Sequence, residues 1–250
     1  MNDQTGFLEK IKPLLEDSTH LFPNYLSGLS HDIRTPLSAI IGFSDLLAEP
    51  RVSRVDQRNY CLMIARSSRK LLDLMSNLID LAKMETGNLE LFSKNVYIKD
   101  FVEDVKLEFR EMVTLYDKNH LAITYSAPTD NLACVFTDKG RLFQIIKILL
   151  ENSLRFTKEG GINLLIKEEP LSHWTIEIRD TGCGIDQVTM ANLFDMFPPA
   201  EVSMAKKMKS RGMSLSVVKK LCDMMEISIE AHSQLGVGTV MRLSVPIKTR

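Results

Sequence analysis

The chain has little that would mark it for life outside a reducing compartment. Its four cysteines, Cys61, Cys134, Cys183 and Cys222, lie far apart and form no CxxC pair, so neither a disulfide framework nor a zinc site is indicated, and a cytoplasmic setting is expected. No run approaches the roughly eighteen consecutive apolar residues that a membrane-crossing helix needs. The opening MNDQTGFLEK has neither the basic nor the apolar stretch of a signal peptide, and no membrane insertion is expected. Charge of one sign is missing too. The formal net charge is −1, whereas a nucleic-acid partner calls for a strongly basic face. There is no internal repeat and no low-complexity tract. What remains is a globular composition, 44% hydrophobic and 25% charged, over a length that accommodates about two domains.

The first half is helical by its spacing. Leu26, Leu29, Ile33, Leu37, Ile40 and Leu47 recur at three- and four-residue steps, and Tyr60, Ile64, Leu71, Leu78 and Ala82 repeat the pattern, which predicts a helical hairpin. The joint falls at Glu49-Pro50-Arg51-Val52-Ser53, where proline stops the first helix and Ser53 is placed to cap the second. Two such helices cannot bury their apolar stripes alone, so a four-helix bundle with a second copy, hence a homodimer, is expected. Pro36 deletes one backbone hydrogen bond inside the first helix and should bend it just beyond His31. Residues 1–23 read as a leader helix or the stub of a sensory input, and 24–90 as one domain.

On that first helix stands His31-Asp32-Ile33-Arg34-Thr35-Pro36-Leu37. Helical geometry puts His31 and Thr35 on one face, with Asp32 adjacent. A neutral imidazole has one ring nitrogen free to attack phosphorus, and the neighbouring carboxylate can take or orient the proton on the other. The run therefore reads as a phosphoryl acceptor rather than a metal site.

After Gly87 the pattern changes. Short β-type segments (122–125, 162–166, 174–178, 227–231, 240–245) alternate with helical ones (98–116, 139–156, 213–225) and end in a hairpin about Gly236 and Gly238. This predicts an α+β architecture whose second domain, 95–250, is an α/β sandwich: a mixed sheet covered on one face. Asn152 lies on the helix after Asp138-Lys139-Gly140-Arg141, and its amide oxygen is a suitable hard ligand for a Mg²⁺ ion that also holds phosphate. Arg155, three residues on, shares that face and can neutralise phosphate charge. Asp180 closes a strand before Gly182 and Gly184, which let the backbone turn tightly and approach a flat ligand. A buried carboxylate there can accept the exocyclic amino proton of adenine. Residues 198–211 read as a mobile lid whose cations, Lys206 and Lys209 among them, can close over a triphosphate.

Taken in order, the His31 box, Asn152 in LLENSLRFTKEGG, Asp180-Thr181-Gly182-Cys183-Gly184 and Gly236-Val237-Gly238-Thr239 resemble the motifs of two-component sensor histidine kinases, over almost the whole chain. The resemblance implies the ATP-binding fold shared by these kinases, Hsp90-type chaperones and DNA gyrases. It implies ATP and Mg²⁺ as cofactors, with Asn152 as the magnesium-side ligand, Asp180 on adenine, and Gly212 and Thr239 among the nucleotide-binding residues. His31 would accept the γ-phosphoryl group, Asp32 would act as base or orienter, and Thr35 would hold a water for the reverse, phosphatase reaction. The phosphoryl group would pass to an aspartate of a response-regulator receiver domain. Two positions depart from the family pattern. Ile148 stands where an asparagine is usual, and the glycine-rich lid closure reads Ser210-Arg211-Gly212-Met213-Ser214, with only the middle glycine kept. These departures leave a second reading open, a degenerate kinase acting as a phosphotransfer protein, phosphatase or regulator of another kinase. An ATPase or chaperone-like protein would leave the His31 hairpin without a purpose.

Overall fold

A computed structural model describes residues 23–128, 134–169, 173–195 and 214–247, with the side chains of 23–29 and of His31 outside that description. The chain divides into two compact units at the Leu72–Asp73 bond. In the first, helix α1 (Pro23–Leu47) continues through Pro36 and turns into α2 (Arg54–Glu85). Ser53 caps α2 as its position predicts. Its Oγ accepts from the Asp56 N–H at 3.1 Å and donates to Asp56 Oδ2 at 2.6 Å, satisfying a backbone donor that the helix itself leaves unpaired. Phe43 stacks on Tyr60 across the hairpin, ring centroids 5.8 Å apart. Ile41, Leu62, Met63, Val55 and Leu72 stay exposed, so the hairpin does not cover its own apolar surface.

The second unit opens with the end of α2, which buries Leu74, Asn77, Asp80 and Leu81. Next come β1 (Lys94–Tyr97), α3 (Ile98–Leu115), β2 (Ala122–Ser126), β3 (Cys134–Thr137), α4 (Lys139–Phe156), β4 (Gly161–Glu169) and β5 (His173–Asp180). The short α5 (Gln187–Ala191), α6 (Ser214–Met224), β6 (Ser228–Gln234) and β7 (Gly238–Pro246) complete it. Five strands form one sheet in the order β2-β4-β5-β7-β6. The β2–β4 pair is parallel and the rest are antiparallel, the mixed sheet that the sequence predicts. The two hairpin helices and the strands and helices expected after Gly87 all appear, with ends shifted by a few residues, while the expected leader helix or stub over 1–23 lies, but for Pro23, outside the described residues. β4 and β5 outrun the expected segments because their ladder continues to Glu169 and His173, where backbone pairing rather than burial holds the chain.

Two strands and a helix go beyond the sequence reading. β1 and β3 pair antiparallel as a separate two-stranded ribbon. Each has four residues, and β1 buries only Val96, too little alternation for a period of two to register. The core is continuous. α3 contributes Ile98, Phe101, Val102, Val105, Phe109, Met112 and Val113, and α4 contributes Leu142, Ile145, Ile146, Leu149, Leu150 and Leu154, to a cluster completed by Ile162, Leu164, Trp174, Ile176, Ile178, Val217 and Leu221. Both helices place these side chains at three- and four-residue steps, so one stripe of each faces the sheet. Asp138 caps α4 by accepting from the Arg141 N–H at 3.1 Å, and its other oxygen takes the Phe92 N–H at 2.8 Å. One carboxylate therefore starts the helix and ties down the segment that precedes β1.

Candidate nucleotide site

The stripe that builds the core also brings a polar group to a defined place. Ser153 falls among the apolar positions of α4 and is 4% exposed, and its Oγ donates to Asp180 Oδ2 at 3.1 Å. Asp180, 9% exposed, is the last residue of β5, paired there with Ile162 and Thr239. Its Oδ1 accepts from the Gly182 N–H at 2.9 Å, and the Thr239 N–H also reaches the carboxylate. Burial pushes the Asp180 carboxyl above the ordinary value, against the pull of the Gly182, Ser153 and Thr239 donors. The result is a buried acceptor held in one orientation, as recognition of an amino hydrogen requires.

The glycines around it are present for space. A Cβ at Gly182 would stand 2.8 Å from the Phe156 carbonyl oxygen and 2.9 Å from Asp180 Oδ1. Gly184 adopts φ +68°, and a side chain there would collide with the Gln234 carbonyl. The turn is laced to its neighbours. Thr181 Oγ1 accepts from the Gly161 N–H at 3.0 Å and donates to the Glu159 carbonyl at 3.1 Å, and the Gly236 N–H donates to the Cys183 carbonyl at 2.8 Å. Ser233 Oγ accepts from the Ile185 N–H at 2.8 Å and lies 2.9 Å from Thr239 Oγ1, so one hydroxyl links both glycine segments.

Asn152 precedes Ser153 on α4. Its Nδ2 is buried and has no hydrogen-bond partner among the described residues, an arrangement that costs free energy unless something further completes it. The orphaned Nδ2 is a donor and calls for an acceptor such as a phosphate oxygen, whereas the amide oxygen is the atom able to ligate a hard cation, and the Arg155 guanidinium stands one helical turn further on. Arg155 Nη2 lies 3.4 Å from Glu151 Oε1, and the same oxygen takes the Tyr116 hydroxyl at 2.5 Å. Among the described residues no group of three or more His, Cys, Asp and Glu is arranged to hold a metal. Ile148 is 7% exposed within the core, where the apolar side chain packs on the buried face of α4.

The other expected site residues lie elsewhere. His31 lies on α1 by its backbone, with its side chain outside the described residues; Asp32 is half-buried and Thr35 exposed on the same helix. Lys206, Lys209, Gly212, Ser210 and the lid around them lie outside the described residues. Cys183 is exposed in the Asp180 turn, and Cys222 is a buried thiol pushed up to about 12 by its burial. Sequence reasoning missed Ser153, Thr181 and Ser233, which hold the site together. Ser153 carried a signal, since a polar residue in an apolar helical stripe calls for a buried partner.

Comparison with known proteins matches residues 24–87 to the His Kinase A (phospho-acceptor) domain and residues 137–249 to the histidine kinase-, DNA gyrase B- and HSP90-like ATPase family. The signal transduction histidine-protein kinase BarA of Escherichia coli (strain K12) is 31% identical over 96% of this chain and 26% of its own length. The autoinducer 2 sensor kinase/phosphatase LuxQ of Vibrio cholerae serotype O1 is 27% identical over 93% of this chain and 27% of its own. The chain thus spans about a quarter of the length of these relatives. The histidine kinase ThkA, solved in complex with the response regulator protein TrrA, superposes with a TM-score of 0.65 at 17% identity, covering 96% of this chain and 66% of that one, a likeness of fold. Among the described residues no helix is long and apolar enough to cross a membrane.

Proposed function

The chain belongs to the sensor histidine kinases, carrying the catalytic core with its phosphoacceptor and ATP-binding modules, and from that premise we propose that it transfers the γ-phosphoryl group of ATP to His31 and then to an aspartate of a response-regulator receiver domain. The observation that carries the nucleotide half is the convergence of α4 and β5. Ser153 and Gly182 orient the buried Asp180 carboxylate, and Asn152, adjacent to Ser153 on α4, keeps a buried Nδ2 without a partner among the described residues.

In this reading Asp180 accepts the exocyclic amino hydrogen of adenine and thereby selects adenine over guanine, which presents a carbonyl at that position. Asn152 holds Mg²⁺ through its amide oxygen, and Arg155 faces the phosphates. Mg²⁺, when bound, neutralises charge on the phosphate oxygens. A neutral ring nitrogen of His31 attacks the γ-phosphorus, the new N–P bond forms as the bond to the β-phosphate oxygen breaks, and ADP leaves. Asp32 takes or orients the proton on the other ring nitrogen. Thr35 positions the water for the reverse, phosphatase reaction, and a kinase/phosphatase among the relatives supports that arm. The open apolar stripe of the hairpin supports a homodimer built as a four-helix bundle. Residues 24–90 and 95–250 are the two functional domains in this reading, and Lys206, Lys209 and Gly212 act in the lid.

One observation favours a second reading, a degenerate kinase that relays or removes phosphoryl groups: the buried, apolar Ile148 one turn before Asn152. Incubation with γ-labelled ATP and Mg²⁺, beside His31→Gln and Asn152→Ala, separates the two. Acid-labile, base-stable label that vanishes in both variants is the expected result. Absence of label together with absence of ATP binding would refute the kinase reading and leave the degenerate one.

A further inference from the structure

Beside the candidate site lies a contact that none of the nucleotide motifs contains. Tyr116 follows the last turn of α3, with its backbone N–H bonded to the Met112 carbonyl at 2.8 Å. Its hydroxyl crosses to α4 and donates to Glu151 Oε1 at 2.5 Å. Glu151 is 16% exposed at its side chain, and the same Oε1 receives Arg155 Nη2 at 3.4 Å, one helical turn further on. Two donors, one from the end of α3 and one from α4, thus share one oxygen of Glu151, and the second is the cation three residues beyond Asn152.

The order of the contacts decides what each does. A carboxylate accepts and cannot donate, so Tyr116 and Arg155 both act as donors to it. Burial and the charge of Glu151 raise the Tyr116 hydroxyl well above its ordinary value, so the phenol keeps its proton throughout the neutral range. A short bond from a neutral hydroxyl to a carboxylate is among the stronger hydrogen bonds a protein makes. It fixes the Glu151 rotamer, while the longer Arg155 contact leaves the guanidinium able to turn toward another anion. An arginine held in place by its neighbours loses less freedom when it meets a phosphate than one that sweeps through solvent.

We propose that Tyr116 and Glu151 are positioning residues for the nucleotide site, and that the Tyr116 hydroxyl acts through Glu151 to preset Arg155 for the phosphates of ATP. The inference rests on the nucleotide reading given above. It is specific to the phosphate end, because adenine recognition is assigned to Asp180 and its own donors, Ser153, Gly182 and Thr239.

The test is a double-mutant cycle on the full chain, Tyr116→Phe, Arg155→Met and the pair, with Mg²⁺-ATP and adenosine titrated separately by calorimetry and thermal unfolding run on each variant. Tyr116→Phe is expected to weaken ATP about threefold to tenfold, the range that follows from freeing one long side chain, and to leave adenosine unchanged. In the Arg155→Met background the same change should cost nothing further, because the residue it acts through is gone. Equal losses for ATP and adenosine, or a full additional loss in the double variant, would assign Tyr116 a packing role and overturn the proposal. So would an unchanged ATP affinity. Wild-type chain that fails to bind ATP, while folded, would instead remove the nucleotide reading and this inference with it. ATP binding that is lost in Asn152→Ala but unmoved in Tyr116→Phe would remove this inference alone.

Discussion

Replacing Ser153 by alanine tests the electrostatic logic of the site with one atom. The Oγ donates to Asp180 Oδ2 at 3.1 Å, and both residues are nearly sealed from solvent, at 4% and 9% exposure, so water cannot replace the lost donor readily. A hydrogen bond to a charged acceptor contributes about 1.5–3 kcal/mol, and one to a neutral acceptor about 0.5–1.5 kcal/mol. The cost of Ser153→Ala should therefore depend on whether Asp180 is ionised. Asp180 has a carboxyl raised above its ordinary value by burial, so the folded state binds its proton more tightly than the unfolded chain does. Its contribution to stability is complete below the unfolded value and is lost as pH rises through the raised folded value. Removing Ser153 withdraws a donor that favours the charged form, so the folded value rises further and the loss at neutral pH grows. Urea unfolding of both proteins at pH 7 and near pH 4 measures this. A destabilisation of about 2 kcal/mol at neutral pH that shrinks to about 1 kcal/mol or less in acid is expected. An equal cost at both pH values would show that the serine does not act on the Asp180 charge.

Gly184→Ala should weaken the turn beside Asp180 by at least about 1–3 kcal/mol, because the new Cβ meets the Gln234 carbonyl at a positive φ, and calorimetry with ATP should show weakened binding. Asp80→Ala leaves Arg141 Nη1 and Gln144 Nε2 without the oxygen that both reach at 2.8 Å. A loss of about 1–3 kcal/mol in urea unfolding is expected, largely retained at high salt because Asp80 is only 8% exposed. Ser53→Ala removes the cap of α2 and should cost about 1 kcal/mol in thermal unfolding, with Ser53→Gly costing only a few tenths.

The helices were open to reading because each repeats one rule many times. Eighteen residues of α4 place apolar side chains at three- and four-residue steps, and no strand of that length competes. The strand pair β1 and β3 escaped because four residues offer no such repetition, and because their pairing joins Lys94–Tyr97 to Cys134–Thr137 across some forty intervening positions. At the site, Asn152, Asp180 and the glycines stood out as motif residues with an evident chemistry. Ser153, Thr181, Ser233 and Tyr116 did not, since each is an unremarkable polar residue until its partner is known. Ile148 looked like a defect in a polar motif, and its burial shows it also to be a member of the core.

Sequence alone determined the helical hairpin, the alternation of strands and helices, the chemistry available at His31, Asn152 and Asp180, and the family to which their order points. Those features are local, set by side-chain spacing and by which residues tolerate a turn. Tertiary structure decided which of them meet. Ser153 reaches Asp180 only because β4 and β5 pair in the register Ile162 to Asp180, and Tyr116 reaches Glu151 only because α3 packs on α4. Such contacts join residues twenty-seven and thirty-five positions apart. Their specificity comes from the burial and strand register of the whole sheet, which no local pattern encodes.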